Sequence, residues 1–243
     1  LTDIPPEVEA PKTEQETPEP SGSPPQLAIA RGADAAEITR RAVAALGGIE
    51  RFVSKGDQVV IKPNICVDYN PPEYAATTNP TVVATLVRLC VGAGARRVRV
   101  MDNPFGGTPE SAYAVSGIAQ AVGAAGGEMV VMHQAKYVEA EIPDGVDINK
   151  WTFYKEVLTA DAFINVPIAK HHSLARLSLG MKNLLGVIKR PGAIHSNLGQ
   201  RIADLSSLVR PTLTVVDAVR MLMDHGPTGG NLEDVKQADT VIA

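Results

Sequence analysis

Residues 58–101 read QVVIKPNICVDYNPPEYAATTNPTVVATLVRLCVGAGARRVRVM. The stretch begins with a continuous apolar strand over Gln58–Ile61 and later enters a helix whose first turn holds Pro80, with Asn79 as the predicted cap. Val98–Met101 is a second apolar strand. Because two strands separated by a helix of ~10 residues are joined by a crossover, the stretch predicts neighbouring parallel strands.

The same alternation extends in both directions, so we expect an α/β fold with a largely parallel or mixed sheet and helices on both faces. The expected domain covers residues 27–243 and stops inside a strand at Thr240–Ala243, which predicts truncation at that end. The other predicted elements are strands at Leu27–Ala30, Met129–Met132, Ala162–Val166 and Leu213–Val216, helices at Ala35–Leu46 (capped by Asp34) and 110–121, and a short hairpin and helix within 134–160.

Residues 1–26 have a different composition. The first 25 residues hold seven prolines and six acidic residues against one basic residue, Lys12, a net charge of −5, whereas the remainder carries +1. Such a segment buries little apolar surface and is predicted to be an extended linker. Two interpretations stay open, an inert solvated tail and a docking segment that binds a protein partner.

Composition excludes several classes of protein. The chain of 243 residues is 44% hydrophobic, yet it contains no run of ~18 apolar residues that could span a membrane. The net charge of −4 argues against nucleic-acid binding, which normally needs a basic face. Cys66 and Cys90 form neither a zinc nor an iron–sulfur motif. Cys90 is predicted in the core, and a Cys66–Cys90 disulfide is a candidate.

The start of the chain bears on localisation. It begins at Leu1 without an initiator Met or a leader, and the Pro/Glu tether suits a mature exported protein. We therefore expect an extracytoplasmic or membrane-associated location, with a cytoplasmic one as the alternative.

Polar residues collect where the predicted strands end. Lys62 and Asn64 follow one strand, Asp102 a second, Lys170 a third and Asp217 a fourth. In an open parallel sheet, ligands bind at the carboxyl ends of the strands. The pattern therefore predicts a shared site, although ordinary caps and turns would also place polar residues there.

The densest cluster lies in residues 170–186. His171 and His172 are adjacent, so in regular structure at most one of them need face a ligand. A neutral imidazole could move a proton or hold a metal, and Lys182 and Asn183 follow soon after.

The apolar residues of this segment predict a helix. Leu174, Leu177, Met181 and Leu184 or Leu185 recur at helical spacing. Lys182 lies off that face, at the far end of the same predicted helix.

A second signal follows Asp217. The loop Gly226-Pro227…Gly229-Gly230 could cradle an anion with its free amides. Asp217 could orient a base, ligate a cation or simply cap the next helix, and the sequence leaves these readings open.

Together these residues resemble the family catalogued as domain of unknown function 362, over about residues 27–243. Members often carry an iron–sulfur module and some are exported, but this chain lacks the cluster cysteines, so no iron–sulfur cluster is expected in it. The matching motifs are Lys62-Pro63-Asn64, Thr78-Asn79-Pro80, Asn165-Val166-Pro167, Lys170-His171-His172, Gly180–Gly186, Asp217, Met223, Gly226-Pro227 and Gly230.

The spacing of His172 and Lys182 is also similar to a His…Gly-rich…Lys stretch in the amino-terminal domain of the lactate racemase family. That resemblance implies a shared fold. The family's nickel-bearing cofactor is not expected here, because Leu179 and Met181 replace parts of the glycine run.

The sequence thus predicts an enzyme for a small anionic ligand that uses proton transfer or metal-assisted chemistry. The alternative is a non-catalytic accessory subunit of an extracytoplasmic or membrane-associated assembly, docked through its tail. A divalent metal is a candidate cofactor, with His172 as its ligand. The predicted catalytic residues are His171, His172, Lys182 and Asp217, and the predicted substrate-binding residues are Lys62, Asn64, Asp102, Lys170 and Asn183.

Overall fold

A computed structural model describes residues 25–243 of the chain. In chain order the strands are β1 (Ile29–Arg31), β2 (Gln58–Pro63), β3 (Arg97–Val100), β4 (Glu128–Met129), β5 (Tyr137–Glu141), β6 (Lys150–Tyr154), β7 (Ala162–Val166), β8 (Ile168–His172), β9 (Arg176–Ser178), β10 (Leu213–Thr214), β11 (Val216–Leu222) and β12 (Val235–Ile242). The α-helices are α1 (Ala35–Ala45), α2 (Pro80–Gly92), α3 (Pro109–Val115), α4 (Ile118–Ala124), α5 (Lys155–Thr159), α6 (Gly180–Asn183) and α7 (Leu198–Leu208).

The first sheet is parallel and confirms the main prediction. Its strands lie in the order β10-β7-β2-β3-β4, and each neighbouring pair is parallel. The central strand β2 pairs on both sides, with Ile61 opposite Val100 of β3 and Ile164 of β7.

Helices cover both faces of this sheet because successive side chains of a buried strand point in opposite directions. Val59 and Ile61 belong to a core cluster shared with α1, α2 and α4. Val60, between them, belongs to a second cluster shared with the β5–β6 hairpin, α5 and α7.

The second sheet is mixed, in the order β1-β12-β11-β8-β9. Two strands of the parallel sheet lead directly into it, β7 through Pro167 and β10 through Val215. Backbone hydrogen bonds join these two connecting segments, from Val215 N to Asn165 O (2.9 Å) and from Asp217 N to Pro167 O (2.8 Å). The two sheets therefore diverge beside the carboxyl ends of β2, β3 and β7.

Both predicted helix caps are confirmed. Asp34 accepts hydrogen bonds from the backbone N–H groups of Ala36 and Glu37 at the start of α1. Asn79 Oδ1 accepts from Thr81 N (2.9 Å) at the start of α2. Side-chain acceptors at these positions satisfy amides that have no partner within the helix.

The helix expected across Leu174–Leu185 is wrong. β8 and β9 form an antiparallel hairpin there, with Lys170 opposite Ser178, and helical structure begins only at α6, which the 3₁₀ turn Leu184–Val187 follows. The helical spacing predicted a buried apolar face, but Leu174, Leu177 and Met181 do not pack in the core and are largely exposed.

The helix expected over 110–121 is two helices. The helix is interrupted after Ser116 because Gly117 adopts φ +70, a left-handed conformation that favours glycine. Ser116 Oγ accepts a hydrogen bond from Ile118 N at the start of the second helix. The predicted hairpin and helix within 134–160 are confirmed as β5, β6 and α5.

Three other expectations need correction. The strand predicted at Met129–Met132 is only the two residues of β4, and the one predicted to end before Asp217 is instead split at Val215, with β11 continuing past Asp217. Cys66 and Cys90 are both buried and both free, so the candidate disulfide is not formed.

The predicted linker lies almost wholly outside the described residues. Within residues 25–243, no helix combines the length and apolar character needed to cross a bilayer.

Replacing Asn79 by Ala is expected to lower the free energy of unfolding by about 1 kcal/mol, because α2 loses its capping acceptor. Asn79→Ser retains a capping oxygen and should recover most of the loss. Urea denaturation of both variants measures the difference; equal stability of the Ala and Ser variants would contradict the capping role.

Candidate functional site

A cleft of about 420 Å³ opens where the two sheets diverge. Its walls come from the loops after β2 and β3, from β8 and the turn that follows it, and from the segment around α6. The lining residues are Asn64, Ile65, Cys66, Asp102, Asn103, Pro104, Phe105, Pro167, Ile168, Lys170, His172, Ser173, Leu174, Ser178, Leu179, Lys182, Asn183, Leu185, Gly186, Pro191, Gly192, His195 and Pro227.

A buried ion pair forms the base of the cleft. Lys62 Nζ lies 2.7 Å from Asp102 Oδ1, with side-chain exposures of 0% and 2%. Burial lowers the pKa of Lys62 and raises the pKa of Asp102, since desolvation disfavours both charges, and their mutual attraction opposes the two shifts.

Each ion of this pair has further hydrogen-bond partners. Lys62 Nζ also donates to Pro63 O (2.8 Å) and to Asn183 Oδ1 (3.0 Å), which uses its three N–H groups. Asp102 accepts from Ile65 N (2.6 Å) and Asn103 N (2.9 Å). Lys62 lies under the cleft rather than on its surface, which argues against its predicted direct contact with a substrate.

Asn183 ties α6 to this pair. Its side-chain amide donates to Asn165 Oδ1 (2.8 Å), while Asn165 Nδ2 donates to Gly180 O (2.9 Å). At Gly186 the backbone passes directly beside the ion pair. A Cβ added there would lie 2.0 Å from Asp102 Oδ1 and 2.8 Å from Lys62 Nζ. Only glycine fits that position without displacing the ion pair.

Lys170 is a buried cation in the wall of the cleft. Its ammonium donates to Ala76 O (2.7 Å) and Pro227 O (2.8 Å), and no carboxylate among residues 25–243 pairs with it. Burial lowers the pKa of Lys170.

Lys182 is the second cation without a counter-ion. It lines the cleft half-buried, and it makes neither an ion pair nor a side-chain hydrogen bond with any described residue. Burial and then the charge of Lys170 lower the pKa of Lys182 to about 8. It therefore stays mainly protonated at pH 7, with its charge available to a ligand.

His172 lines the cleft with a defined tautomer. Its Nδ1 accepts hydrogen bonds from Leu174 N (3.1 Å) and Ala175 N (3.3 Å), so the proton of the neutral ring is on Nε2. Burial first, and then the nearby charge of Lys182, lower the pKa of His172 to about 4. At neutral pH the ring is thus an uncharged N–H donor.

His171 is on the opposite side of β8. Its Nδ1 accepts from Gly226 N (3.0 Å), and it does not line the cleft, as alternation along a strand requires. Two amides of the loop Gly226–Gly230, which was predicted to bind an anion, are therefore used within the protein, since Gly229 N also donates to His225 O (3.1 Å).

His195 also lines the cleft. It lies in the 3₁₀ turn Pro191–Asn197, with its ring centroid 6.5 Å from that of His172. Burial and the charge of Lys182 lower the pKa of His195. An isolated His in a turn carries no periodic pattern, so only the fold reveals its position.

Asp217 does not reach the cleft. Its buried carboxylate accepts from Asn79 N (2.7 Å) and Val219 N (3.0 Å), and so fastens the start of α2 to β11. Asp217 thus holds the start of a helix, as one of the predicted alternatives had it. The helix is α2, which precedes Asp217 in the chain, and not a helix that follows it.

Asn64 is a further polar residue of the cleft. It lines the cleft, and its Oδ1 is a buried acceptor without a hydrogen-bond partner among residues 25–243. Asn64, Asp102, Lys170, His172, Lys182 and Asn183 therefore meet at one cleft, whereas Lys62 supports it from below and His171 and Asp217 lie elsewhere.

The described residues contain no group of three His, Cys, Asp or Glu side chains placed to hold a metal ion. A metal-bound His usually donates its second ring N–H to an acceptor. The Nδ1 of His172 accepts instead, which argues against the predicted metal-ligand role.

Comparison with known proteins gives a family and two relatives. A family model described as Domain of unknown function (DUF362) matches residues 59–243. A thylakoid-associated protein of Synechocystis sp. is 27% identical over 199 residues, which cover 78% of this chain and 60% of that protein. The chain thus spans about three fifths of that relative's length.

The lactate racemase apoprotein of Thermoanaerobacterium thermosaccharolyticum is a structural neighbour. The TM-score is 0.45 at 15% identity, covering 86% of this chain and 54% of that one. This degree of likeness assigns neither an activity nor a cofactor to the chain.

Gly186→Ala is expected to destabilise the fold by about 3 kcal/mol or more, because the new Cβ must separate the buried ions. Gly192→Ala is the matched control, since its Cβ would meet nothing within 4 Å in the same cleft. Denaturant unfolding compares them, and a Gly186→Ala protein as stable as the control would contradict the packing argument.

Asp217 is expected to make stability depend on pH. Burial raises the pKa of Asp217 to about 6, from 3.8, so its stabilising effect is complete below about pH 4 and is lost as the pH rises through 6. The stability difference between wild type and Asp217→Asn should therefore shift by about 3 kcal/mol towards the variant between pH 3.5 and pH 7. A difference constant across that range would contradict the raised pKa.

Proposed function

The chain belongs to the family described as Domain of unknown function (DUF362), and on that premise we propose that its cleft binds small organic anions and moves a proton next to a carbonyl group. The observation that carries the proposal is the charge balance of the cleft. Lys182 contributes a positive charge at pH 7, and Lys170 is a second lysine of the lining. Asp102 is the one acidic residue in the lining formed by residues 25–243, and Lys62 already neutralises it.

The anion would bind at Lys182. Its ammonium group has no hydrogen-bond partner among residues 25–243, whereas Lys170 donates to two carbonyl oxygens of the protein. The low-dielectric surroundings that depress the pKa of Lys182 also strengthen its attraction for a carboxylate.

His172 and His195 would take different roles in the proton transfer. The Nε2–H of His172 is suited to donate a hydrogen bond to a carbonyl oxygen that gains negative charge as the neighbouring carbon loses a proton. His195, whose lowered pKa keeps it unprotonated at pH 7, is suited to accept that proton and return it.

A second candidate is the accessory subunit of a membrane-associated assembly. The name of the Synechocystis relative, a thylakoid-associated protein, favours it. The predicted docking tail lies almost wholly outside the described residues. If the chain is such an accessory subunit, we expect no catalytic turnover in the cleft.

The test uses pyruvate, a small carboxylate with exchangeable protons beside a carbonyl. In D₂O, wild-type protein is expected to accelerate the exchange of pyruvate methyl protons with saturation, followed by ¹H NMR. Lys182→Met should raise the half-saturating pyruvate concentration about tenfold to a hundredfold, because one charge-assisted hydrogen bond is lost. Wild-type half-saturation should also rise above about pH 8, as Lys182 loses its proton.

Two further variants separate the roles. His195→Gln should lower the maximal rate and leave the half-saturating concentration nearly unchanged, whereas Lys236→Met, an exposed lysine outside the cleft, should match wild type. Saturable binding without exchange would remove the proton-transfer half of the proposal. Absence of both binding and exchange would overturn it and favour the accessory role.

A further inference from the structure

Large apolar side chains gather at the mouth of the same cleft. Phe105, Leu174 and Leu179 are 77%, 67% and 39% exposed, and all three line the cleft. Exposed apolar side chains that line one cleft commonly mark a binding groove.

The cleft is also too large for a very small anion. A volume of 420 Å³ corresponds to about 14 waters at ~30 Å³ each. An acid of about three carbons would fill only a fraction of this space and would leave the apolar wall in contact with water.

The chemistry of the walls is divided. Lys182 and His172 supply the polar contacts, and Ile65, Leu185 and Phe105 contribute apolar surface to the same cavity. A ligand that satisfies both kinds of wall carries a charged head and an apolar body.

Building on the proposed function, we propose that the ligand is an amphipathic carboxylate whose charged end binds Lys182 and whose hydrocarbon body of about four to eight carbons packs against Phe105, Leu174 and Leu179. The hydrocarbon body covers side chains that are otherwise exposed, so its burial contributes affinity in proportion to its length.

A series of straight-chain 2-oxo acids from pyruvate to 2-oxooctanoate tests this inference. Half-saturation in the exchange assay, or the dissociation constant from calorimetry, should fall about two- to fourfold for each added methylene until the cleft is filled. The double variant Phe105→Ser/Leu174→Ser should flatten this dependence on chain length.

Two controls make the result specific. Lys182→Met should weaken binding of every member by a similar factor and keep the dependence on chain length. Leu232→Ser, which replaces a leucine 55% exposed outside the cleft, should behave as wild type.

The failures of the two proposals are distinguishable. If pyruvate binds but longer acids bind no better, the amphipathic ligand is wrong and the small-anion site stands; the apolar mouth then fits a protein partner better. If affinity grows with chain length equally in wild type and the double variant, binding is nonspecific and the inference is overturned. If no member binds, the proposed function itself fails.

Discussion

The buried ion pair between Lys62 and Asp102 is the constraint around which the cleft is built. Two charges removed from water are tolerated only when hydrogen bonds satisfy the rest of their polar atoms. Asn183, Pro63 and the amides after β2 and β3 supply these bonds. The pair thereby connects two parallel strands to the segment that carries Lys182, and it requires glycine at position 186 because no Cβ fits beside the ions.

The pair also determines the electrostatics above it. Because Lys62 neutralises Asp102, the carboxylate does not compensate Lys182, whose charge leaves the cleft positive. Burial first, and then the charge of Lys182, keeps His172 neutral. Two backbone amides at Nδ1 then fix its proton on Nε2, so the ring presents a donor rather than a base. A cationic group and a neutral donor side by side form the combination expected where negative charge develops on an oxygen.

The divergence of the two sheets explains which residues reach the cleft. β8 continues from the parallel sheet through Pro167 into the mixed sheet, and its alternating side chains send Lys170 and His172 to one face and His171 to the other. β11 follows a similar course from Val215, which leaves Asp217 at the junction, where it fastens α2 instead of facing a ligand. The apolar spacing of Leu174, Leu177 and Met181 indicates a helix in sequence, yet these residues lie exposed in a hairpin and the turn after it, and of the three Leu174 lines the cleft.

The sequence alone determined the α/β class, the parallel strands, the caps at Asp34 and Asn79, and the gathering of polar residues at the carboxyl ends of strands, because these follow from periodicity and local hydrogen bonding. Tertiary structure decided which of those residues share a cleft. The burial of Lys62, the role of Asp217 and the arrival of His195 depend on contacts between segments far apart in the chain. Local sequence patterns carry no information about such contacts, since they arise only when the strands are ordered and the sheets diverge.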